Sequence, residues 1–192
     1  DADTPDRLPT DVPYRIVVPE REPWLRTARL SPLDGPGIAV SRTFARHSAL
    51  AQPRSRRANY INRVSPLTPH DREILILRIG WDCQAVYEWA KHVGTVGRAR
   101  DHGVNPTAVA EGPNAPNAST LDAMLLRTVD ELYQNTILSD ETWTALTTHY
   151  DLVRAMSAVY TPSSYRATSM SLNTYGVQLE EGDEEFPDVP LR

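Results

Sequence analysis

A carboxylate and an imidazole stand four residues apart in the segment CQAVYEWAKH, residues 83–92. In a helix, Glu88 and His92 share one face because positions three and four apart lie about one turn apart. Such a pair suits proton transfer near neutral pH, since the carboxylate raises the pKa of the imidazole or fixes its tautomer. Tyr87 adds a phenol on the flank of that face. The alternative is an exposed pair that stabilises the helix by about 0.2–0.5 kcal/mol and has no chemical role.

A second acid, Glu73, lies one turn into the apolar helix that precedes this segment. A carboxylate in a buried helix is costly unless it is paired or hydrogen-bonded. One interpretation is that Glu73 points into a cavity shared with His92. The other is that it only benefits from the positive end of the helix dipole.

The elements that must position these residues are all predicted to be helices. Thr68, Pro69 and Asp71 give the start signals of a buried helix whose apolar run, residues 74–79, is interrupted only by Arg78. A continuous helix is predicted over residues 81–96, with Val86, Trp89, Val93 and Val96 on its core face. Shorter helices are expected in segments 37–50, 48–64, 104–112, 119–135 and 139–150, and a long helix from 151 to 176 is expected to break or kink near Pro162. With no convincing strand pair, the fold class is all-α, with seven or eight helices.

Composition limits the function classes. The chain has 192 residues, a net charge of −5 and one cysteine. The negative charge argues against general nucleic-acid binding, and the absence of a long apolar run argues against a membrane span. One cysteine allows no internal disulfide, and the histidines lack the spacing of a zinc site. The first twenty residues do not look like a signal peptide, so a cytoplasmic protein is expected.

The chain divides into three parts by composition. Residues 1–23 are proline-rich and are predicted to form an extended arm, residues 24–178 form the helical domain, and residues 179–192 form an acidic tail. The tail is expected to be disordered and a cluster of arginines upstream to be a solvated helix face. The alternative is that the tail contacts a basic surface of its own or a neighbouring subunit. The arginines are Arg42, Arg46, Arg54, Arg56, Arg57, Arg63 and Arg72.

Several segments together resemble a known family. They are LTPHDREILILRIGWDCQAVYEWAKH, GVNPTAVAEGP, DELYQNTILSDETWTAL and MSLNTYGVQL, and the likeness covers roughly residues 25–180. The chain is similar to the carboxymuconolactone decarboxylase-like branch of the alkylhydroperoxidase D superfamily. The resemblance implies a compact all-α domain that assembles into dimers, trimers or larger symmetric oligomers.

The peroxidase members carry two cysteines in a C-x-x-C-x-x-x-H motif, and this chain departs from that pattern. Glu73 and His92 keep the family's separation of nineteen residues, but Ala85 and Glu88 stand where the two cysteines would be. Thiol chemistry needs an attacking and a resolving thiol. Cys83 lies two residues before the first of these positions and is expected to be a small buried residue.

What the resemblance retains is a set of acid–base residues. It implies His92, Glu88, Glu73 and Tyr87 as catalytic groups that move protons on an enolisable acid or lactone without a cofactor. Arg78 is expected either to bind a substrate carboxylate or to form a structural ion pair with a buried acid or helix-end carbonyls. Further substrate contacts are expected from Trp81, Ser164 and Tyr165.

Three functions follow as hypotheses. The first is a cofactor-free decarboxylase or other lyase, isomerase or cyclase that acts on a small molecule bearing a carbonyl or carboxylate. The second is a thiol-dependent peroxidase that uses Cys83 with a partner's thiol. The third is a non-catalytic ligand-binding or assembly protein, for which Glu73, Tyr87 and His92 would not converge on a cavity that solvent can reach.

Overall fold

Helices make up the whole regular structure of the part of the chain that the computed structural model describes, residues 28–189, which confirms the all-α prediction. The predicted arm over residues 1–23 lies outside this range. Within it, no helix has the length and apolar character that a membrane crossing requires. The α-helices are α1 (Ala39–Phe44), α2 (Ser48–Asn59), α3 (Pro69–Asp82), α4 (Val86–Val93), α5 (Pro106–Glu111), α6 (Thr120–Asn135), α7 (Asp140–His149) and α8 (Leu152–Tyr175), with a π-helical turn at Tyr60–Val64 and a 3₁₀ turn at Ala99–His102.

The central element is α3, and its start follows the predicted signals. The Thr68 hydroxyl accepts a hydrogen bond from the Asp71 amide at 3.1 Å, and Pro69 occupies the first turn, where its missing N–H costs nothing. Residues 73–81 are all buried, as predicted for a helix that is apolar on nearly every side. This helix packs chiefly against α6, α8 and α4. A functional side chain on this helix therefore lies in the centre of the domain.

The connection between α3 and α4 differs from the predicted continuous helix over residues 81–96. The first helix ends at Asp82, and Gln84 adopts a left-handed backbone conformation with φ of 53°. The Gln84 side chain donates a hydrogen bond to the Trp81 carbonyl at 2.7 Å and so closes the end of α3. Because α4 ends at Val93, Val96 lies beyond it and is 43% exposed, which makes its predicted place in the core wrong.

The last helix, α8, is continuous through Pro162, so the predicted break does not occur. Hydroxyl side chains around the proline bond to carbonyls one turn earlier. Thr161 donates to the Ser157 carbonyl at 2.8 Å, and Ser163 donates to the Val159 carbonyl at 2.9 Å. Packing against α3 and α6 also supports this helix over its length. Tertiary contacts therefore maintain a helix that local propensity alone would interrupt.

The acidic C-terminal segment contacts the domain's own basic residues up to residue 189, where the described part ends. Asp183 accepts a hydrogen bond from the Lys91 ammonium at 2.6 Å, and Glu184 binds the Arg100 guanidinium through both oxygens at 2.6 and 2.8 Å. Phe186 packs on the core. The prediction of a disordered tail is therefore wrong for this segment, and the alternative of contact with a basic surface of the same chain describes it.

Candidate active site

Two buried side chains form the centre of the site. Glu73 on α3 and His92 on α4 are 0% and 2% exposed, and the Glu73 Oε2 to His92 Nδ1 distance is 2.6 Å. The second oxygen of Glu73, Oε1, accepts a hydrogen bond from Arg72 Nε at 2.9 Å. Both oxygens of this buried carboxylate are thus bonded to nitrogen donors, which offsets the cost of taking the charge out of water. The interpretation of Glu73 as a simple helix-dipole residue is therefore insufficient.

The other ring nitrogen of His92 faces Glu88. The distance from Nε2 to Glu88 Oε1 is 3.0 Å, and the Glu88 side chain is 9% exposed. The predicted pairing at positions i and i+4 is confirmed. The pair is buried, so the alternative of an exposed pair on the helix surface is wrong. Glu73, His92 and Glu88 therefore form one continuous line, in which the imidazole is hydrogen-bonded to Glu73 and forms an ion pair with Glu88.

The surroundings of His92 and Glu73 determine their protonation states. Burial alone would lower the pKa of His92, but the charge of Glu73, the hydrogen bond to it and the contact with the Glu88 carboxylate together raise it to about 10. Burial favours the neutral form of Glu73, yet His92 and Arg72 together hold the pKa of that carboxyl below its ordinary value. At neutral pH His92 is therefore an imidazolium, with one ring N–H hydrogen-bonded to Glu73 and the other paired with the Glu88 carboxylate. In that state it can act as an acid, and the group able to accept a proton is Glu88.

Gly97 covers the Glu73–His92 hydrogen bond. A Cβ added to Gly97 would overlap Glu73 Oε2, and it would lie 2.6 Å from the His92 carbonyl oxygen and 2.7 Å from His92 Nδ1. These atoms are buried and already bonded, so they have no free volume into which to move. A glycine is therefore required here by close approach of the backbone to the ion pair.

Replacing Gly97 by alanine is expected to lower the free energy of unfolding by about 1–3 kcal/mol, because overpacking forces buried groups apart. The matched control is Gly80→Ala, since a Cβ there meets only an ordinary contact at 3.8 Å to the Trp89 amide nitrogen. Urea denaturation of both variants gives the comparison. Equal stability of the two would contradict the account of Gly97.

A cavity of about 180 Å³ opens beside this line. Exposed residues Ser41 and Val96 form its rim, while Glu88 and His92 lie in its wall. Glu73 stands behind His92 and reaches the cavity only through the imidazole. The remaining lining comes from Ile38, Val40, Arg54, Arg57, Ala58, Ile61, Asn62, Tyr87, Lys91, Tyr165 and Thr168.

Tyr87 lines the cavity with a hydroxyl whose oxygen is already engaged as an acceptor. The Val40 amide at the start of α1 donates to Tyr87 Oη at 3.1 Å. Burial, with the nearby acidic side chains, raises the pKa of this phenol and keeps it protonated. Its own O–H has no acceptor among residues 28–189, which leaves the proton available to a molecule in the cavity. This position agrees with the predicted role of an oxyanion donor.

Tyr165, a predicted substrate contact, also lines the cavity and lies beside His92. Its ring meets the His92 ring edge to face, with centroids 5.1 Å apart, and its hydroxyl accepts a hydrogen bond from Asn62 Nδ2 at 3.1 Å. The ring therefore fixes the orientation of the imidazole and closes one side of the cavity. Asn62 carries no sequence signal that marks it as a site residue.

Arg78, by contrast, lies away from this cavity and acts structurally. Its Nε contacts Asp130 at 2.6 Å and Asp82 at 3.4 Å, and Nη1 donates to the carbonyls of Val109 and Ala110 near the end of α5. These contacts occupy the guanidinium with carboxylates and helix-end carbonyls. The expected role in substrate binding is therefore corrected to the structural alternative.

Trp81 and Ser164 are also absent from the cavity lining. Trp81 packs in an aromatic cluster, with its ring centroid 5.0 Å from Phe186 and 5.8 Å from Trp89. Ser164 is buried within α8, and its carbonyl accepts a hydrogen bond from Thr168 at 3.2 Å. Cys83 is buried at the end of α3 and likewise does not line the cavity. Of the four predicted substrate contacts, only Tyr165 reaches the site.

Two arginines and a lysine lie in the wall although the sequence patterns do not single them out as site residues. Arg54 and Arg57 belong to the arginine cluster that is predicted to be a solvated face. Together with Ala58 and Ile61 they follow the i, i+3, i+4, i+7 spacing of one helix stripe, which is the signal that the sequence offers. The signal is weak because a stripe containing two charges looks like an exposed surface. Lys91 pairs with Glu180 and Asp183 of the C-terminal segment.

Within the part of the chain that the structure describes, no group of three or more His, Cys, Asp or Glu side chains is arranged to hold a metal ion. Comparisons with protein-family models, curated proteins and solved structures find no match for this chain. The chemical argument therefore depends on the arrangement of the side chains in this cavity.

Proposed function

We propose that this protein is an acid–base enzyme that works without a cofactor on a small molecule bearing a carbonyl or carboxylate. The reaction classes are decarboxylation or another lyase reaction, isomerisation and cyclisation. The observation that carries the proposal is the line Glu73–His92–Glu88, which ends in the wall of a cavity that opens to solvent. Buried acid–base groups at a cavity are characteristic of proton-transfer sites.

The residues take distinct roles in the proposed reaction. Glu88 accepts a proton from a carbon next to the substrate carbonyl, and electron density moves to the carbonyl oxygen. The Tyr87 hydroxyl donates a hydrogen bond to that oxygen as its charge develops. His92, as an imidazolium, returns a proton to the intermediate, and the proton held by Glu88 then passes to the His92 ring, which restores both groups. Glu73 and Arg72 hold the charge and orientation of His92 and act as positioning residues.

The proposal retains the resemblance to the carboxymuconolactone decarboxylase-like branch of the alkylhydroperoxidase D superfamily, with which an all-α fold is compatible. The thiol-dependent alternative requires Cys83 to reach the reacting molecule, and its buried position outside the cavity lining disfavours that. The non-catalytic alternative requires Glu73, Tyr87 and His92 not to converge. Two of them line one cavity, and the third is bonded to His92.

Isotope exchange tests the proposed function and does not require the natural substrate to be identified first. A panel of small keto acids and unsaturated lactone acids is incubated in D₂O with the protein, and ¹H NMR follows loss of the C–H signal beside the carbonyl. We expect enzyme-dependent exchange for at least one member. Rates equal to those in buffer for every member would refute proton abstraction as the activity.

We further propose that the chain forms a closed homo-oligomer. Four apolar side chains near the start of α8 are 47–62% exposed, namely Leu152, Val153, Met156 and Tyr160. An exposed apolar strip on a helix is characteristic of a surface that a second subunit covers. Sedimentation equilibrium is expected to give a multiple of the 21.5 kDa chain mass, and Met156→Glu is expected to lower it. A monomer mass for the unmodified protein would contradict this assembly.

A further inference from the structure

One wall of the cavity is cationic and carries no compensating carboxylate. Arg54 and Arg57 come from α2 and line the same cavity as the acid–base residues. Among residues 28–189, no carboxylate oxygen lies within 4.0 Å of a guanidinium nitrogen of either arginine. Lys91, by contrast, is neutralised by Glu180 and Asp183. Arg57 donates instead to the Thr168 hydroxyl at 2.8 Å, which fixes its direction without cancelling its charge.

Arg54 has hydrogen-bonding capacity that the described residues leave unused. Its Nε is buried and has no hydrogen-bond partner among them. The face of the guanidinium lies over the Phe44 ring at 4.6 Å, which holds the side chain in place from the apolar side. Burial lowers the pKa of Arg54, and the charge of the nearby Glu88 carboxylate partly opposes that effect. A buried guanidinium donor without an acceptor is costly unless a ligand supplies one.

We propose that Arg54, supported by Arg57, binds the carboxylate of a small acid whose reacting carbon faces Glu88. This inference rests on the proposed function and deepens it by naming the substrate class and the residue that recognises it. A guanidinium fork matches a carboxylate in shape and charge. With the carboxylate on the arginine wall, the rest of the acid extends towards Glu88, His92 and the Tyr87 hydroxyl.

The size and charge of the cavity favour a small carboxylate over a phosphate ester. A cavity of about 180 Å³ is smaller than the roughly 300–1,000 Å³ of drug-sized ligand sites, which suits a short-chain acid. Glu88, which lines the same cavity, opposes a doubly charged phosphate more strongly than a singly charged carboxylate. The apolar side chains of Ile38, Val40 and Ile61 surround the hydrocarbon portion.

Calorimetric titration with pentanoate and pentanamide tests the inference, because the two probes differ in charge and have the same shape. The unmodified protein is expected to bind pentanoate about ten- to a hundredfold more tightly than the amide, as expected for a charge-assisted hydrogen bond. Arg54→Ala is expected to remove most of this preference. Arg54→Met, which keeps more of the shape of the arginine side chain, is expected to do the same. Arg56→Ala, an exposed arginine on the same helix, is expected to keep it.

Equal affinity for acid and amide in the unmodified protein would overturn the inference, even if neither Arg54 variant folded. Tighter binding of butyl phosphate than of pentanoate would overturn the choice of a carboxylate. The two proposals fail separately. If neutral ketones exchanged as fast as keto acids, the proposed acid–base activity would stand, but the proposed carboxylate binding by Arg54 would be wrong. If the protein preferred pentanoate but catalysed no exchange, the proposed binding site would stand, but the proposed enzymatic activity would be wrong.

Discussion

Replacing His92 by alanine is expected to lower the free energy of unfolding by about 3 kcal/mol and to abolish exchange activity. Removing one partner of a buried ion pair costs about 3–5 kcal/mol, because the remaining charge is buried without compensation. The remaining charges here are those of Glu73, which is 0% exposed, and Glu88, whose side chain is 9% exposed. The bond of Glu73 to Arg72 at 2.9 Å survives the substitution, which places the expected loss at the lower end.

Urea denaturation of a double-mutant cycle measures this effect. Glu73→Gln removes the buried charge, so the variant His92→Ala/Glu73→Gln is expected to lose less stability than the two single losses combined. His149→Ala, at an exposed position, serves as the control. Additive losses would show that Glu73 and His92 are not coupled and would contradict the geometry on which the site depends.

Replacing Glu88 by glutamine is expected to lower the exchange rate by about 10²–10⁴, because the variant lacks the group that accepts the substrate proton. The amide oxygen of glutamine can still contact His92 Nε2, which lies 3.0 Å from Glu88 Oε1 in the unmodified protein. Stability is therefore expected to stay within about 1 kcal/mol, the size of one ordinary hydrogen bond.

The assay is the NMR exchange measurement on whichever acid of the panel the unmodified protein turns over. Glu141→Gln, a surface glutamate whose side chain is 87% exposed, is the control and is expected to retain the full rate. If the exchange rate of Glu88→Gln were within threefold of that of the unmodified protein, Glu88 would not be the base. If stability fell with the rate, the loss would be assigned to structure and not to chemistry.

Much of the fold is predictable from local sequence signals. The cap at Thr68 accepts the amide hydrogen bond that the helix-start pattern indicates, and Ser119 and Ser139 cap α6 and α7 in the same way. These interactions involve residues three positions apart, so a short window contains them. The break at Gln84 escapes prediction because a left-handed glutamine has no strong sequence signature.

The site is predictable where its geometry is local and unpredictable where it depends on distant partners. Glu88 and His92 pair within one helix. Arg78 is ambiguous in the sequence because a single charge in an apolar helix fits two roles, and Asp130, 52 residues further along, decides between them. Arg54 escapes notice because its inward direction depends on how α2 packs against the rest of the domain, which no local pattern encodes.

The central claim is that His92 is held as an imidazolium between two carboxylates, which makes Glu88 the base at the cavity. A group whose pKa rises from 6.5 to about 10 on folding contributes stability that is fully present below pH 6.5 and is lost as the pH rises through 10. Correlation of the ¹⁵N and ¹H signals of the His92 ring, assigned by their loss in His92→Gln, measures its charge directly. The account predicts protons on both ring nitrogens at pH 7 and their change only near pH 10. A neutral ring at pH 7 would contradict it and would assign the role of base to His92.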